Sequence, residues 1–432
     1  MEIVVIFFGL LIGLLLLGIP VGYSIGVVSI IAMVIRWGLP SLSFGLIAQM
    51  LVYGANSFTI LAVPLFLLTG ALMNTGGISS RIFDFAGSLV GHIRGGLAHV
   101  NVLASFIFSG MSGAAAADVA GLGQIEIKAM EEAGYDKDFS CAVTGASATI
   151  GPIVPPSVPL VLYGVLACTS VIRLFIGGLV PGILMAISLM IHCSLVAKKK
   201  KYPKGDQFRL VRLIKSFKRA FLPLLTPVII IGGIWTGIFT PTEAAGVAAL
   251  YAGVLGIFVY KEIKLKNLLF TLREVTMTSV AILFILACAK IYNMALTRTQ
   301  VPELVTNFLF SISQSRLVIL LLLNLVLFIC GCFMSTAATI TLLTPLIAPL
   351  LPKFGIDLTH FGVMMVLNLM IGQLTPPFGI VLYVLMRVGN ISFEKLVKAC
   401  VPFYIPIFIV LVMIILLPSL VTFLPNLFFI RR

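Results

Sequence analysis

Apolar residues run through this chain in long unbroken stretches instead of alternating with polar ones. No Asp, Glu, Lys or Arg interrupts Ile3–Ile35, Trp37–Ser80, Phe139–Ile172, Leu317–Pro352, Leu358–Met386 or Cys400–Ile430. Each stretch exceeds the roughly 20 apolar residues that a helix needs to cross a bilayer. A helix also satisfies its own backbone polar groups in hydrocarbon. A transmembrane barrel would show segments of about ten residues with alternating polarity, and none is visible. The first stretch is too long for a secretory signal, and Glu2 stands where a basic n-region would be. The pattern predicts an all-α polytopic membrane protein.

Composition agrees: 60% of the 432 residues are hydrophobic and 10% charged, against roughly a quarter charged in soluble domains. The net charge of +14 is focused, because Lys198–Arg219 and Lys261–Arg273 together carry +12 of it. Short basic loops beside apolar segments mark the cytoplasmic side. That accounts for the charge without nucleic acid, and contact with anionic lipid is a second use for it.

An offset of 221 residues aligns Gly110–Pro156 with Gly331–Pro377 without a gap, and ten of the 47 pairs are identical. The matches shape backbone: Gly110 with Gly331, Gly134-x-Asp136 with Gly355-x-Asp357, Ile150-Gly151 with Ile371-Gly372, and Pro155-Pro156 with Pro376-Pro377. With Lys198–Arg219 inside, one crossing back puts Arg173 outside, and the next returns Asp136 to the inside. Forward from Lys261–Arg273, one crossing leads out, so Arg298, Arg316, Lys353 and Asp357 lie outside, as do Arg431 and Arg432. The two Gly-x-Asp loops then face opposite compartments, which makes this an inverted-topology repeat of the kind secondary transporters use. Residues 220–260, broken at Thr240–Glu243, form two passes that begin and end inside. By symmetry, residues 3–35, broken at Gly18–Pro20, begin and end outside.

Between Arg94 and Lys128 the chain starts and ends inside yet holds the uncharged run Gly95–Ala117. A re-entrant helical hairpin satisfies both facts, with its tip near Phe108–Gly113. Its copy spans Arg316–Lys353, with a turn near Cys330–Ser335. Unwound turns survive at membrane depth only within protein or a wet cavity, so the tips are expected to meet in the interior. The Gly-x-x-x-Pro-Pro sequences break the helices that follow, because proline lacks an N–H and displaces the preceding carbonyl pairing. Freed carbonyls and helix C-termini suit Na⁺, and half-helix N-termini suit a carboxylate.

Two candidate cages follow. The first joins Ser109, Gly110, Met111, Ser112 and Gly113 to Gly151, Pro152, Val154 and Pro155. The second joins Cys330, Gly331, Cys332, Phe333 and Met334 to Gly372, Gln373, Thr375 and Pro376. A substrate carboxylate would sit between the tips, near Ser112, Ser147 and Asn368. The other use of the prolines is to kink structural helices, and the other use of Ser147 and Asn368, at equivalent repeat positions, is hydrogen bonding between helices. Asp118 senses cations or sits at a wet helix boundary, and Lys290 snorkels; neither is assigned to a cage.

The seven cysteines lie almost all in apolar runs, so a disulfide framework is not expected. Cys330 and Cys332 read as small packing residues, because a structural metal site needs about four ligands. No HExxH, GxSxG or GxxxxGK[ST] motif occurs, which removes support for ATP hydrolysis and the commoner hydrolytic chemistries. An intramembrane enzyme would need a convergent acid, nucleophile or metal set that the sequence does not offer. A channel could also use inverted repeats and re-entrant loops; saturable, gradient-dependent uptake separates it from a transporter.

At these motifs the sequence resembles the large membrane subunit of tripartite ATP-independent periplasmic (TRAP) transporters. The resemblance covers essentially the whole chain and rests on Leu61-Ala62-Val63-Pro64-Leu65-Phe66, Gly76-Gly77-Ile78, Gly91 to Leu97, Ser112-Gly113, Ala117-Asp118, Gly151 to Ser157, Pro181-Gly182, Gly237 to Ala244 and Thr375-Pro376-Pro377. It implies an elevator-type secondary transporter of the bacterial inner membrane that takes up a small organic acid, a carboxylate or sugar acid, with Na⁺ as coupling ion and no cofactor. It also implies a small four-helix membrane subunit and a periplasmic substrate-binding protein as partners. The expected organisation is a first-repeat scaffold and arm helix (1–94), first transport elements (95–172), linking helices with the basic loop and second scaffold (173–315), second transport elements (316–398) and a C-terminal membrane helix (399–432). Two positions depart from the family pattern: Ala114, where a second serine often follows Ser-Gly, and Ser335, where an acid is common.

Overall fold

The computed structural model describes residues 2–38, 43–205 and 207–429; Asp206, Arg431 and Arg432 lie outside them. In chain order, α1 (Glu2–Leu16) and α2 (Val21–Trp37) precede α3 (Phe44–Ala55), α4 (Ala62–Thr75) and α5 (Ile78–Val90). A hairpin of α6 (Gly96–Ser112) and α7 (Ala115–Glu132) follows, then a broken helix of α8 (Lys137–Ala148) and α9 (Val158–Leu166), then the long α10 (Val171–Lys200). The order recurs in α11 (Leu210–Trp235), α12 (Pro241–Val254), α13 (Leu265–Arg298), α14 (Val301–Ile312), the hairpin α15 (Arg316–Phe333) and α16 (Thr336–Ile347), the broken helix α17 (Leu358–Gln373) and α18 (Ile380–Gly389), and α19 (Phe393–Leu416). α20 (Ser419–Phe429) comes last. Among the described residues there is no strand, only an isolated bridge between Arg94 and Lys204, and seven helices are long and apolar enough to cross a bilayer.

The 221-residue offset holds well beyond the segment that matches in sequence. It carries α1 onto α11, α2 onto α12, α5 onto α14 and α10 onto α19. The packing has the same symmetry: α4 lies on α12 as α2 lies on α13, and α7 lies on α18 as α16 lies on α9. Reciprocal contact of this kind, element A on B and B on A, is what a two-fold axis produces.

α10 shows how that axis lies. Its 30 residues span about 45 Å, more than the roughly 30 Å of hydrocarbon. Asp136 pairs with Lys200 at 2.5 Å and accepts from Tyr202 Oη at 2.7 Å, at the C-terminal end of α10. At the other end, beside α10 residues 174 and 177, a Cβ on Gly362 would meet Leu174, and one on Gly177 would meet Thr359, two residues from Asp357. The two Gly-x-Asp loops therefore sit at opposite ends of a membrane-spanning helix, as the inverted repeat requires.

Local chemistry explains the breaks. Thr240 caps α12 in a reciprocal capping box with Glu243, and Pro241 occupies the first turn, where its missing N–H costs nothing. Pro20 likewise precedes α2. One difference between the copies is a break: α13 is continuous, whereas its counterpart divides at Asn56-Ser57 between α3 and a short 3₁₀ turn, Phe58–Leu61, that leads into α4. Asn and Ser compete with the helix for backbone hydrogen bonds, and the uncharged run Trp37–Ser80 did not reveal this break.

Every residue from Phe139 to Ala148 of α8 and from Thr359 to Gln373 of α17 is buried. Helices buried all round belong to the core, so α8 and α17, the first halves of the broken helices, lie at the centre of the molecule and not on its lipid face. α16, with 12 residues, reaches about 18 Å and is too short to cross.

Candidate functional site

The first tip lies slightly later than the sequence suggests. Phe108–Ser112 stay helical, and the chain turns at Gly113, in the left-handed region at φ +60°, and at Ala114, which is extended. A Cβ on Gly113 would come within 2.6 Å of the Pro156 carbonyl oxygen. Only glycine fits there, on both counts. Gly110 faces the Pro155 carbonyl, at 3.7 Å from its Cβ position, and Pro227 of α11 at 3.0 Å. The tip of the first hairpin is therefore seated on the first Pro-Pro break. The side chains of Met111 and Ser112 lie outside the described part of the structure.

Within that break not every predicted carbonyl is open. Pro152 O accepts from Ser157 Oγ, and Ile150 O accepts from the N–H groups of Ile153 and Val154 at 3.0 and 3.1 Å. The carbonyls of Gly151, Val154 and Pro155 meet no donor among the described residues. Ser109 donates its hydroxyl proton back to Phe106 O at 2.6 Å, which leaves the oxygen lone pairs of that hydroxyl available to a cation.

The second tip turns at Met334-Ser335. A Cβ on Gly372 would fall 2.6 Å from the Gly331 carbonyl carbon and 3.0 Å from Cys332 N, so two backbones touch where hairpin meets break. Gln373 Nε2 donates to Thr336 Oγ1 at 2.5 Å, and Tyr404 Oη to Leu374 O at 2.8 Å. Thr375 N–H and Oγ1 are turned inward to Gly372 O and Ile371 O. The carbonyls of Gln373 and Thr375 both lie within 3 Å of the Cβ position of Gly379 (2.8 and 2.9 Å) and have no donor among the described residues. Cys332 is buried, Cys330 half-buried, and the exposed Phe333 meets Phe378 of the break with ring centroids 5.8 Å apart. Both cages thus bring together the chain segments the sequence paired.

Ser147 and Asn368 take equivalent places, but neither is at a tip. Ser105 Oγ donates to Ser147 Oγ at 3.0 Å, and Ser147 donates to Asn101 Oδ1 at 2.7 Å. Asn368 Nδ2 donates to Asn324 O and Oδ1 at 3.0 and 2.8 Å. Ser105 lies eight residues before Gly113, or about 12 Å along the helix. Each side chain therefore ties its broken helix to the first arm of its own hairpin, which is the interhelical role. Asn368 Oδ1 keeps an acceptor with no donor among the described residues.

Two acids belong in this interior. Asp118, in the first turn of α7 and 2% exposed, lies where a Cβ on Gly151 would be 2.5 Å from its Oδ2, so its carboxyl sits beside the first break. Glu126 was not singled out by the sequence. It is 1% exposed and lies close to the Ser105 and Thr144 hydroxyls, and its Oε1 has no hydrogen-bond partner among the described residues. Asn101 Nδ2 donates to Thr144 Oγ1 at 2.7 Å, so a hydrogen-bonded chain runs from Ser105 through Ser147 and Asn101 to Thr144, beside the Glu126 carboxyl. The spacing Asp118, Leu122, Glu126 puts both acids on one helical face, and that was the available signal. Glu126 was hidden by Lys128, Glu131 and Glu132, which make it look like part of a polar boundary. The second copy has Thr339 and Ile347 at these positions.

At the basic end, Lys200 first and then Tyr202 hold the Asp136 carboxyl below its ordinary value by hydrogen bonding. No three His, Cys, Asp or Glu side chains converge among the described residues. Donor-free carbonyls beside a carboxylate suit a hard monovalent cation.

Comparison with known proteins gives the following. The family model described as Tripartite ATP-independent periplasmic transporter, DctM component, matches residues 8–420. The chain is 47% identical over 416 residues to the sialic acid TRAP transporter large permease protein SiaM of Vibrio cholerae, covering 96% of this chain and 97% of that one. It is 44% identical over 415 residues to the sialic acid TRAP transporter permease protein SiaT of Haemophilus influenzae, covering 96% of this chain and 67% of that longer one. A crystal structure of the YdaH transporter of Alcanivorax borkumensis shares the fold, with a TM-score of 0.61 at 14% identity over 88% of this chain and 89% of that one.

Proposed function

This chain belongs to the DctM-component family of tripartite ATP-independent periplasmic transporters, and from that premise we propose that it moves a small organic acid inward by coupling it to Na⁺. As a member it is a transporter component and not an enzyme, and it is a multi-pass protein of the bacterial inner membrane. A tripartite system has two further components. Here they are a small membrane subunit and a periplasmic binding protein that delivers the substrate.

One observation carries the reading: the same arrangement occurs twice, a helix broken at Pro-Pro with carbonyls that have no donor, seated against a glycine-bearing hairpin tip. One such break could be a kink, but two at a matched offset on a two-fold axis form a pair of cages. Each cage takes one Na⁺, the first through Ser109–Gly113 and Gly151–Pro155 with Asp118 contributing charge nearby. The second works through Cys330–Met334 and Gly372–Pro376 with no acid. A carboxylate substrate then lies between the tips, drawn by the cations and by the N-terminal ends of α7, α9, α16 and α18. The core formed by residues 95–172 and 316–398 slides against the scaffold of 1–94 and 173–315, exposing the cages to each side in turn.

The substrate is an organic acid in the class that includes sialic acid, the substrate named for both relatives above. Reconstitution of the three components in proteoliposomes tests this. Uptake of labelled sialic acid and of a C4-dicarboxylate is compared in the presence of each binding protein. Saturable accumulation of an acid that disappears when Na⁺ is replaced by choline supports the reading. Undiminished uptake in choline at fixed membrane potential refutes the coupling.

A further inference from the structure

The basic loop has a use beyond setting orientation. α11 begins in it and carries Arg212, Lys215, Lys218 and Arg219 in its first ten residues, before the uncharged run Ala220–Thr242. Arg219 is thus the last charge before the hydrocarbon, which puts these cations at headgroup depth. Two adjoining hollows lie between this segment and α5. One, of about 440 Å³, is lined by Arg81, Lys218, Arg219 and Tyr260 with Asp84 and Glu262. The other, of about 230 Å³, is lined by Arg212, Lys215, Ser216 and Arg219 with Asp84.

The charges do not balance. Leaving Arg212 aside, four cations share the two hollows with two carboxylates, and Glu262 is already paired with Arg81 at 2.8 Å. Lys215, Lys218 and Arg219 are exposed and form no ion pair among the described residues. A second observation concerns the outer flank of the same helix. Ile214, Phe217 and Phe221 are 48, 44 and 46% exposed there, and Phe217 packs on Phe85 of α5 and on Phe221. A buried hydrogen bond between Ser88 and Ser216 at 2.7 Å fixes α5 against α11, so the groove is built and not a chance gap.

We propose that this groove is a binding site for an anionic phospholipid of the cytoplasmic leaflet. The phosphodiester sits among Lys215, Lys218 and Arg219, and the acyl chains lie along Phe217 and Phe221. Basic pockets between membrane helices on the cytoplasmic side are suited to such headgroups. A soluble anion would use the cations and leave the apolar flank uncovered; a neutral lipid would cover the flank and leave the cations unpaired.

The test uses the full chain purified in detergent. Native mass spectrometry follows retention of phosphatidylglycerol and phosphatidylcholine on wild type and on the double variant K215Q/R219Q, whose changed side chains are exposed and leave the helix intact. Preferential retention of phosphatidylglycerol is expected. Each basic residue near the surface is worth about fivefold in affinity for anionic lipid, so the double variant should bind roughly twenty-five-fold more weakly. Equal retention by wild type and variant, or no preference over phosphatidylcholine, overturns the proposal. Two other outcomes overturn it as well: displacement by glycerol phosphate alone at matched concentration, which marks a simple anion site, and loss of the lipid on co-expression of the small membrane subunit, which marks a protein interface.

Discussion

At residue scale the proposed cages are made of backbone, and that decides which substitutions matter. Alanine at Gly113 would be forced into the left-handed region and against Pro156 O, and alanine at Gly372 against the Gly331 backbone. Left-handed strain of about 1–2 kcal/mol at Gly113, or overpacking of about 1–3 kcal/mol at Gly372, corresponds to about a tenfold loss of affinity if it is relieved by opening the cage. Gly113→Ala and Gly372→Ala should therefore raise the Na⁺ concentration for half-maximal uptake about tenfold, whereas Cys330→Ala and Cys332→Ala should leave it nearly unchanged. The reverse ranking in Na⁺ titrations would show that side chains and not carbonyls hold the ion. Asp136 gives the pH dependence. Its depressed pKa means that its pairing with Lys200 stabilises the fold above the ordinary carboxylate range and is lost as pH falls through the lowered value. Asp136→Asn should lower the melting temperature at pH 7, with the difference closing in strong acid; a gap that persists there would assign the effect to something other than ionisation.

At the scale of elements, caps and breaks were the legible part. Gly-x-x-x-Pro-Pro located both broken helices because proline's missing N–H is a local fact. The Thr240-Pro241-Thr242-Glu243 run located the start of α12 because a capping box is local too. Ser335 stands where an acid is common in the resembling family, and the structure gives it a role: its Oγ accepts from Ala338 N–H at 3.3 Å and caps α16. Ala114 has no such oxygen, and α7 starts without a side-chain cap. Ser335→Ala should accordingly lower stability by about 1 kcal/mol in thermal unfolding, and no change would mean that the tip is held by packing alone. What the sequence did not disclose depends on distant partners. The turn of Ser147 and Asn368 towards Asn101 and Asn324 follows from how α6 meets α8 and α15 meets α17, and no local pattern encodes a helix crossing. The same holds for Glu126, whose neighbours in sequence are surface charges while its neighbours in space are Ser105 and Thr144.

At the scale of the whole molecule, the two-fold axis links charge, fold and transport. Loop charge and the count of crossings placed Asp136 and Asp357 in opposite compartments, and the 45 Å length of α10 separates them in the structure, so single cysteines introduced at 136 and 357 of a cysteine-free chain should be labelled from opposite sides. Labelling from one side would contradict the inverted repeat. Two copies related by such an axis can open alternately to either face around a central pair of cages, which is why Na⁺-coupled import is the central claim. The most direct test is uptake by the reconstituted three-component system under an imposed Na⁺ gradient at clamped membrane potential. The account predicts saturable accumulation of the organic acid against its own gradient, abolished by choline substitution. Equilibration without accumulation, at the same rate in Na⁺ and in choline, would contradict it.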